Sequence, residues 1–152
     1  MSKVAATAQM LIRKPPQDVF QAFCEPRTLE AFWLKRASAP LAENAVVEWE
    51  FLVPGARETV TVTQFVVNTV IAFSWSDGVQ VSIRLVAHAA ASTRVSIAAT
   101  GFQGEEVVSH AINATEGFAV VLCDLKSLLE TGHSGNMVRD RAALIRADLA
   151  SS

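Results

Sequence analysis

Residues 105–132, EEVVSHAINATEGFAVVLCDLKSLLETG, decide how the rest of the chain is arranged. Apolar residues recur there at helical spacing, which predicts one helix of roughly 40 Å at about 1.5 Å rise per residue. Val108, Ile112, Thr115, Phe118, Ala119, Leu122, Leu125 and Leu129 fall on one side. Val107, Ala114, Val121 and Leu128 widen that side to about half the helical wheel, more than a surface stripe requires. Glu106, Ser109, Asn113, Glu116, Asp124 and Ser127 lie opposite, on the side expected to face solvent. Glu105 and Glu106 suit the positive end of the helix dipole, and Gly132 suits a left-handed stop. A helix with so broad an apolar side needs a large apolar surface to lie on.

The residues before it supply that surface. From Arg36 onward the period shortens to two. Val47, Trp49, Phe51 and Val53 alternate with Val46, Glu48, Glu50 and Leu52, a half-buried strand with its aromatic residues inward. Pro54-Gly55-Ala56 is a turn, and the Thr- and Val-rich segment 58–68 is a second strand. Ile71, Phe73 and Trp75 share one face of a third. Asp77-Gly78 is a hairpin signal, after which Val79, Val81, Ile83 and Leu85 alternate with polar residues. A small-residue turn leads to Val95 and Ile97, and Gly101–Gly104 breaks the pattern before the helix.

Upstream, residues 4–13 read as a first strand with Ala6, Ala8, Met10 and Ile12 on one face. Pro16 can open a short helix around Val19, Phe20 and Phe23, and Leu29, Phe32 and Trp33 mark another. The order is strand, two short helices, a meander of about five or six strands, then the long helix. Short connections pair the meander antiparallel. The fold class is α+β, with a curved antiparallel sheet of about six or seven strands wrapped around the long C-terminal helix. Residues 1–132 form one domain. Residues 133–152 are a tail, in which Met137, Leu144, Ile145 and Leu149 either make a short amphipathic helix, stay loosely attached, or form a homodimer contact.

Composition narrows the function. Of the 152 residues, 51% are hydrophobic and 18% charged, and the net charge is −2, so neither a disordered chain nor a nucleic-acid binder is expected. No segment has the length of a membrane span, and the start lacks a signal-peptide core, so the expected location is cytoplasmic. Cys24 and Cys123 have no motif spacing and read as free thiols. His88, His110 and His133 form no metal-ligand pair, so no metal is expected. Glu48 and Glu50 share the solvent side of their strand, and GFQG at 101–104 lacks the Lys of a phosphate loop. No catalytic residue and no cofactor can be assigned.

Three segments carry a resemblance to a known family. KPPQDVFQAFCEPRTLEAFW (14–33) and VTQFVVNTVIAFSWSDG (62–78) resemble the opening and the central hairpin of the START-like, or SRPBCC, superfamily. EGFAVVLCDLKSLLETG (116–132) is similar to the last helix of its branch named for activators of the Hsp-90 chaperone ATPase. Phe118 stands where that branch has a tryptophan, and Phe32-Trp33 where it has paired tryptophans. The resemblance implies a helix-grip fold, shared with birch-pollen-allergen-like proteins, with a cavity between sheet and helix.

The expected function is therefore non-catalytic binding of a small hydrophobic or amphipathic ligand: a lipid, polyketide or aromatic. Phe20, Trp33, Trp49, Phe51, Phe73, Trp75, Thr115, Phe118 and Leu122 are the candidate ligand contacts. The aromatic ones read equally as plain core. Thr115, or the Trp33 or Trp49 indole, would supply polarity, although Thr115 can instead bond its own helix. Gly117 marks either a close approach or a tolerated surface glycine. The alternatives are a chaperone or stress-response partner and, third, a START-like cyclase or hydrolase.

Overall fold

The structure, a computed structural model, describes residues 4–151. Strand β1 (Ala6–Ile12) is followed by helices α1 (Pro16–Cys24) and α2 (Pro26–Phe32). Strands β2 (Leu34–Ala37), β3 (Val46–Phe51), β4 (Arg57–Val66), β5 (Val70–Ser74), β6 (Gln80–Ala89) and β7 (Ser92–Thr100) come next, then helices α3 (Val107–Thr131) and α4 (Met137–Ala150). The sheet has seven strands in the order β1-β7-β6-β5-β4-β3-β2, every neighbouring pair antiparallel. The meander runs as expected, and β1 closes onto its last strand, with Ala6 opposite Ala99 and Ile12 opposite Thr93. The strand β2, too short to show a period, is the one element that the sequence pattern did not locate.

Alternation explains the inner face. Val47 and Trp49 of β3, Ile71 and Phe73 of β5, Val81, Ile83 and Leu85 of β6, and Val95 and Ile97 of β7 are all buried. Strand β4 follows the rule through Val60 and Val62, then a bulge between Val62 and Gln64 shifts its parity. The extra residue turns Phe65 inward, where its ring meets Phe20 edge-on at 5.2 Å. Bulges also sharpen the twist, which lets a sheet this wide curl around a helix. The turn at Ser76-Asp77 has Gly78 at φ 93°, with the Gly78 N–H donating to Trp75 O at 3.0 Å. A Cβ at Gly101, itself at φ 89°, would meet Gly78 O at 2.9 Å, so glycine is required there.

Helix α3 has 25 residues and stops where expected, at Gly132 with φ 84°. Its C-terminal half is tied to β1. Lys126 Nζ donates to Leu11 O at 2.6 Å and to Glu130 Oε2 at 2.7 Å, and Glu130 Oε2 accepts the Arg13 N–H at 2.8 Å. Burial alone would raise the Glu130 pKa, but the Arg13 N–H and the Lys126 ammonium outweigh it and hold the pKa below the usual value.

The predicted buried side of α3 needs correction at both ends. Val108 and Ile112 are 56% and 65% exposed, and Ala119 is exposed; in the first turns of α3 only Ala111 is buried, and Ala114 packs on the core from the side. Asp124, assigned to the solvent side, is fully buried, because α4 folds back over that side.

The two cysteines are free thiols, Cys24 buried and Cys123 half-buried. Burial, then the neighbouring Glu25 charge, pushes the Cys24 thiol up to about 12. The fold therefore holds Cys24 neutral while the unfolded chain ionises it near pH ~8.5. This contribution is complete below that pH and is lost as pH rises toward the folded value. Disulfide-exchange labelling at pH 8 should modify Cys123 in the native protein and leave Cys24 untouched until unfolding; equal rates would contradict the buried placement.

Candidate functional site

Aromatic side chains form one connected chain through the core. Trp33 closes α2, where its N–H donates to Leu29 O at 2.8 Å, and its ring meets Trp49 at 5.1 Å. Trp49 meets Phe73 at 5.3 Å and Phe51 at 6.4 Å. Phe51 meets Trp75 at 6.2 Å, and Trp75 stacks on Phe118 of α3 at 6.3 Å and 30° between planes. Strand alternation explains the sequence: Trp49 and Phe51, like Phe73 and Trp75, are two residues apart and so share a face.

Where this chain reaches α3, the packing is incomplete. A cleft of about 250 Å³ lies among Trp33, Phe51, Trp75 and Phe118, the turn residues Leu52 and Val53, and the faces of α3 and α4. Helix α3 contributes small or polar residues, Asn113, Ala114 and Gly117, beside Phe118 and Val121. Helix α4 contributes Val138, Arg141, Ala142 and Ile145. The lining is mostly apolar with a few polar groups, the composition of a small-molecule site, although the volume falls below the usual ~300–1,000 Å³.

Helix α4 roofs the cleft and is held there by polar contacts. Asp124 Oδ1 accepts from Ser134 Oγ at 2.6 Å and the Gly135 N–H at 3.0 Å, and Oδ2 accepts the Val138 N–H at 3.1 Å. A carboxylate from α3 thus satisfies donors at the start of α4, where the helix dipole also favours negative charge. Arg139 donates to the α2 carbonyls of Glu30 and Ala31 at 3.4 Å, and Arg146 to Leu52 O at 3.4 Å. Arg141 Nε donates to Glu116 Oε1 at 3.0 Å, and its Nη2 to Asn113 Oδ1 at 2.9 Å. Its Nη1 rests over Gly117, 3.5 Å from where a Cβ would stand. A Cβ at Gly117 would therefore make ordinary contact with the guanidinium, and glycine is tolerated rather than required there.

Four of the candidate residues, Trp33, Phe51, Trp75 and Phe118, line this cleft. The others lie elsewhere. Trp49, Phe73 and Leu122 are at most 1% exposed inside the solid core, and Phe20 packs on Phe65. Thr115 donates to Ala111 O at 2.8 Å, one helical turn back, and lies in a separate shallow groove with Val108 and Ile112. The Nε1–H groups of Trp49 and Trp75 are buried with no acceptor among the described residues. The α4 residues were missed because the tail pattern showed Ile145 but not which surface it covers. The arginine spacing 139, 141 and 146 carried no motif.

The carboxylates Glu48 and Glu50 lie on the outer face, against Thr59 and against Lys35 and Arg57, as their strand position requires. Among the described residues no group of His, Cys, Asp or Glu could hold a metal ion, and no helix is long and apolar enough to cross a membrane.

The family described as "Activator of Hsp90 ATPase homolog 1-like protein" matches residues 13–130. The chain belongs to the AHSA1-like family. Its curled antiparallel sheet and long helix are the helix-grip fold of the START/SRPBCC superfamily. SSP2350 of Staphylococcus saprophyticus is 23% identical, with 86% of this chain and 94% of that one covered and a TM-score of 0.75. The Aha1 dimer of Colwellia psychrerythraea gives 19% identity, 85% and 98% coverage and a TM-score of 0.75. DynU16, described as a putative protein in the dynemicin biosynthetic locus, gives 21% identity and a TM-score of 0.74, covering 88% of this chain and 49% of that one. At these identities the likeness shows the fold. No curated protein matches the sequence significantly. In this AHSA1-like chain, α4 follows the matched residues, so the roof of the cleft lies outside the stretch that defines the family.

Proposed function

We propose that the cleft beneath α4 binds a small apolar or amphipathic molecule without transforming it. The observation that carries this reading is the lining of the cleft, where the Trp33, Phe51, Trp75 and Phe118 side chains meet the polar residues Asn113 and Arg141. The Trp75 ring lines the cleft, while its Nε1–H is buried in the packing and does not reach the open space. The family's helix-grip cavity, and a relative described as belonging to a biosynthetic locus, agree with a binding role.

The volume selects among ligand sizes. A body of one or two fused rings fits about 250 Å³, whereas a lipid chain would require α4 to move. Burying on the order of 200 Å² of apolar ligand surface contributes about 5 kcal/mol before the costs of association. Sub-millimolar affinity is the expected range.

Three tryptophans make binding measurable. Naphthamide, neutral and two-ringed, should quench tryptophan emission saturably in the wild type. Ala114→Phe, which fills the cleft from α3, should lose the response while melting near the wild-type temperature. No saturable response at millimolar naphthamide, or one unchanged by Ala114→Phe, would reject the cleft as the site.

A further inference from the structure

We infer that the cleft selects compact carboxylates, an aromatic body in the apolar part and an anionic group on Arg141. The inference rests on the cleft being a binding site and adds the ligand's charge. Arg141 is a cation on the wall of a mostly apolar cleft, with its side chain only 22% exposed. Among the described residues the carboxylate that faces it is Glu116, 68% exposed and bound through Nε alone at 3.0 Å. An exposed carboxylate on one guanidinium nitrogen is weakly held and easily exchanged with water. Nη2 is committed to Asn113, whose side-chain and main-chain oxygens lie at 2.9 and 3.3 Å.

Nη1 takes part in none of these bonds. It packs against α3 at Gly117, 3.5 Å from where a Cβ would stand. An arginine held by two of its nitrogens and open at the third is pre-organised, so little rotamer freedom remains to be lost when an anion arrives. Charge-assisted bonds from guanidinium to carboxylate are about twice as strong as neutral ones. Glu116 is then a competitor at the mouth rather than part of the binding surface.

The test uses naphthoate and naphthamide, which share one shape and differ in charge, titrated by calorimetry against the full chain. Wild type should bind naphthoate about tenfold tighter than naphthamide, and added salt should shrink the difference. Arg141→Met should erase the preference while both ligands still bind, which also reports that the cleft is intact. Glu116→Gln should tighten naphthoate severalfold and leave naphthamide unchanged, a gain that a merely structural ion pair would not produce. Equal binding of the two ligands by wild type, or a preference that survives Arg141→Met, overturns the inference and leaves the cleft reading standing. If neither ligand binds, the cleft reading itself fails and this inference falls with it.

Discussion

Replacing Asp124 with alanine should release α4 and lower stability by about 3 kcal/mol, a drop in Tm of roughly 6–12 °C for a chain of this size. Asp124 is fully buried and accepts from Ser134, Gly135 and Val138. Alanine leaves two backbone N–H groups and a hydroxyl facing a small apolar gap. Each buried donor without an acceptor costs on the order of 1–3 kcal/mol, and hydrogen bonds to a charged group contribute about 1.5–3 kcal/mol. The sum of such terms exceeds the expected loss because α4 has an escape. Once the penalty passes the free energy with which α4 docks, the helix lifts away and water satisfies the donors. The observable is therefore local as well as global. Limited trypsin digestion should cut Asp124→Ala at Arg139, Arg141 or Arg146 well before the wild type. Asp124→Asn keeps one good acceptor oxygen but turns an NH₂ group toward a donor, for a cost of about 1–2 kcal/mol. Wild-type melting and digestion of Asp124→Ala would refute the role of this carboxylate as the latch of α4.

Trp49→Ala should destabilise the domain by about 3 kcal/mol, whereas Trp49→Phe should stay within about 1 kcal/mol of wild type. Trp49 is 1% exposed and meets Trp33, Phe73 and Phe51. Truncating so large a buried aromatic costs about 3–5 kcal/mol, and edge-on ring pairs add about 0.5–1.5 kcal/mol each. Against this stands the buried Nε1–H, which has no acceptor among the described residues. Both substitutions remove that donor, and its removal recovers part of the loss. Phenylalanine also keeps a ring edge toward its neighbours and leaves only a small void. Denaturant unfolding of the two variants separates the terms. A loss for Trp49→Phe well above 1 kcal/mol would mean that the indole N–H is satisfied in solution.

The candidate site was legible in the sequence to the extent that strand alternation controls it. Trp49 and Phe51, or Phe73 and Trp75, had to share a face because they are two residues apart. Alternation does not say how far along the sheet the core stays solid. Phe73 is sealed between neighbours, whereas Trp75, two residues later, reaches the cleft. Phe65 escaped the pattern because a bulge changed the parity of β4 after Val62. Arg141 escaped because a single arginine in a polar tail has no local signature. Its importance comes from Glu116, Asn113 and Gly117, on another helix.

By itself the sequence determined the order and type of the elements apart from β2 and α4, the turn at Gly78 and the end of α3 at Gly132. These follow from the period of apolar residues and from backbone preferences that act over a few neighbours. It also determined that α3 has an apolar side broad enough to need a sheet. Tertiary structure alone decided which residues of that helix are covered. Val108 and Ile112 stay exposed, and Asp124, polar and placed opposite them, is the most deeply buried carboxylate of the helix. Helical spacing defines faces but not what lies against them. Here α4 lies there, fixed by contacts that span 14 residues at Asp124 and Val138, 94 at Leu52 and Arg146, and 108 at Ala31 and Arg139. Such contacts form only once the sheet and α3 have set the surface, and the cleft they roof exists only in the folded chain.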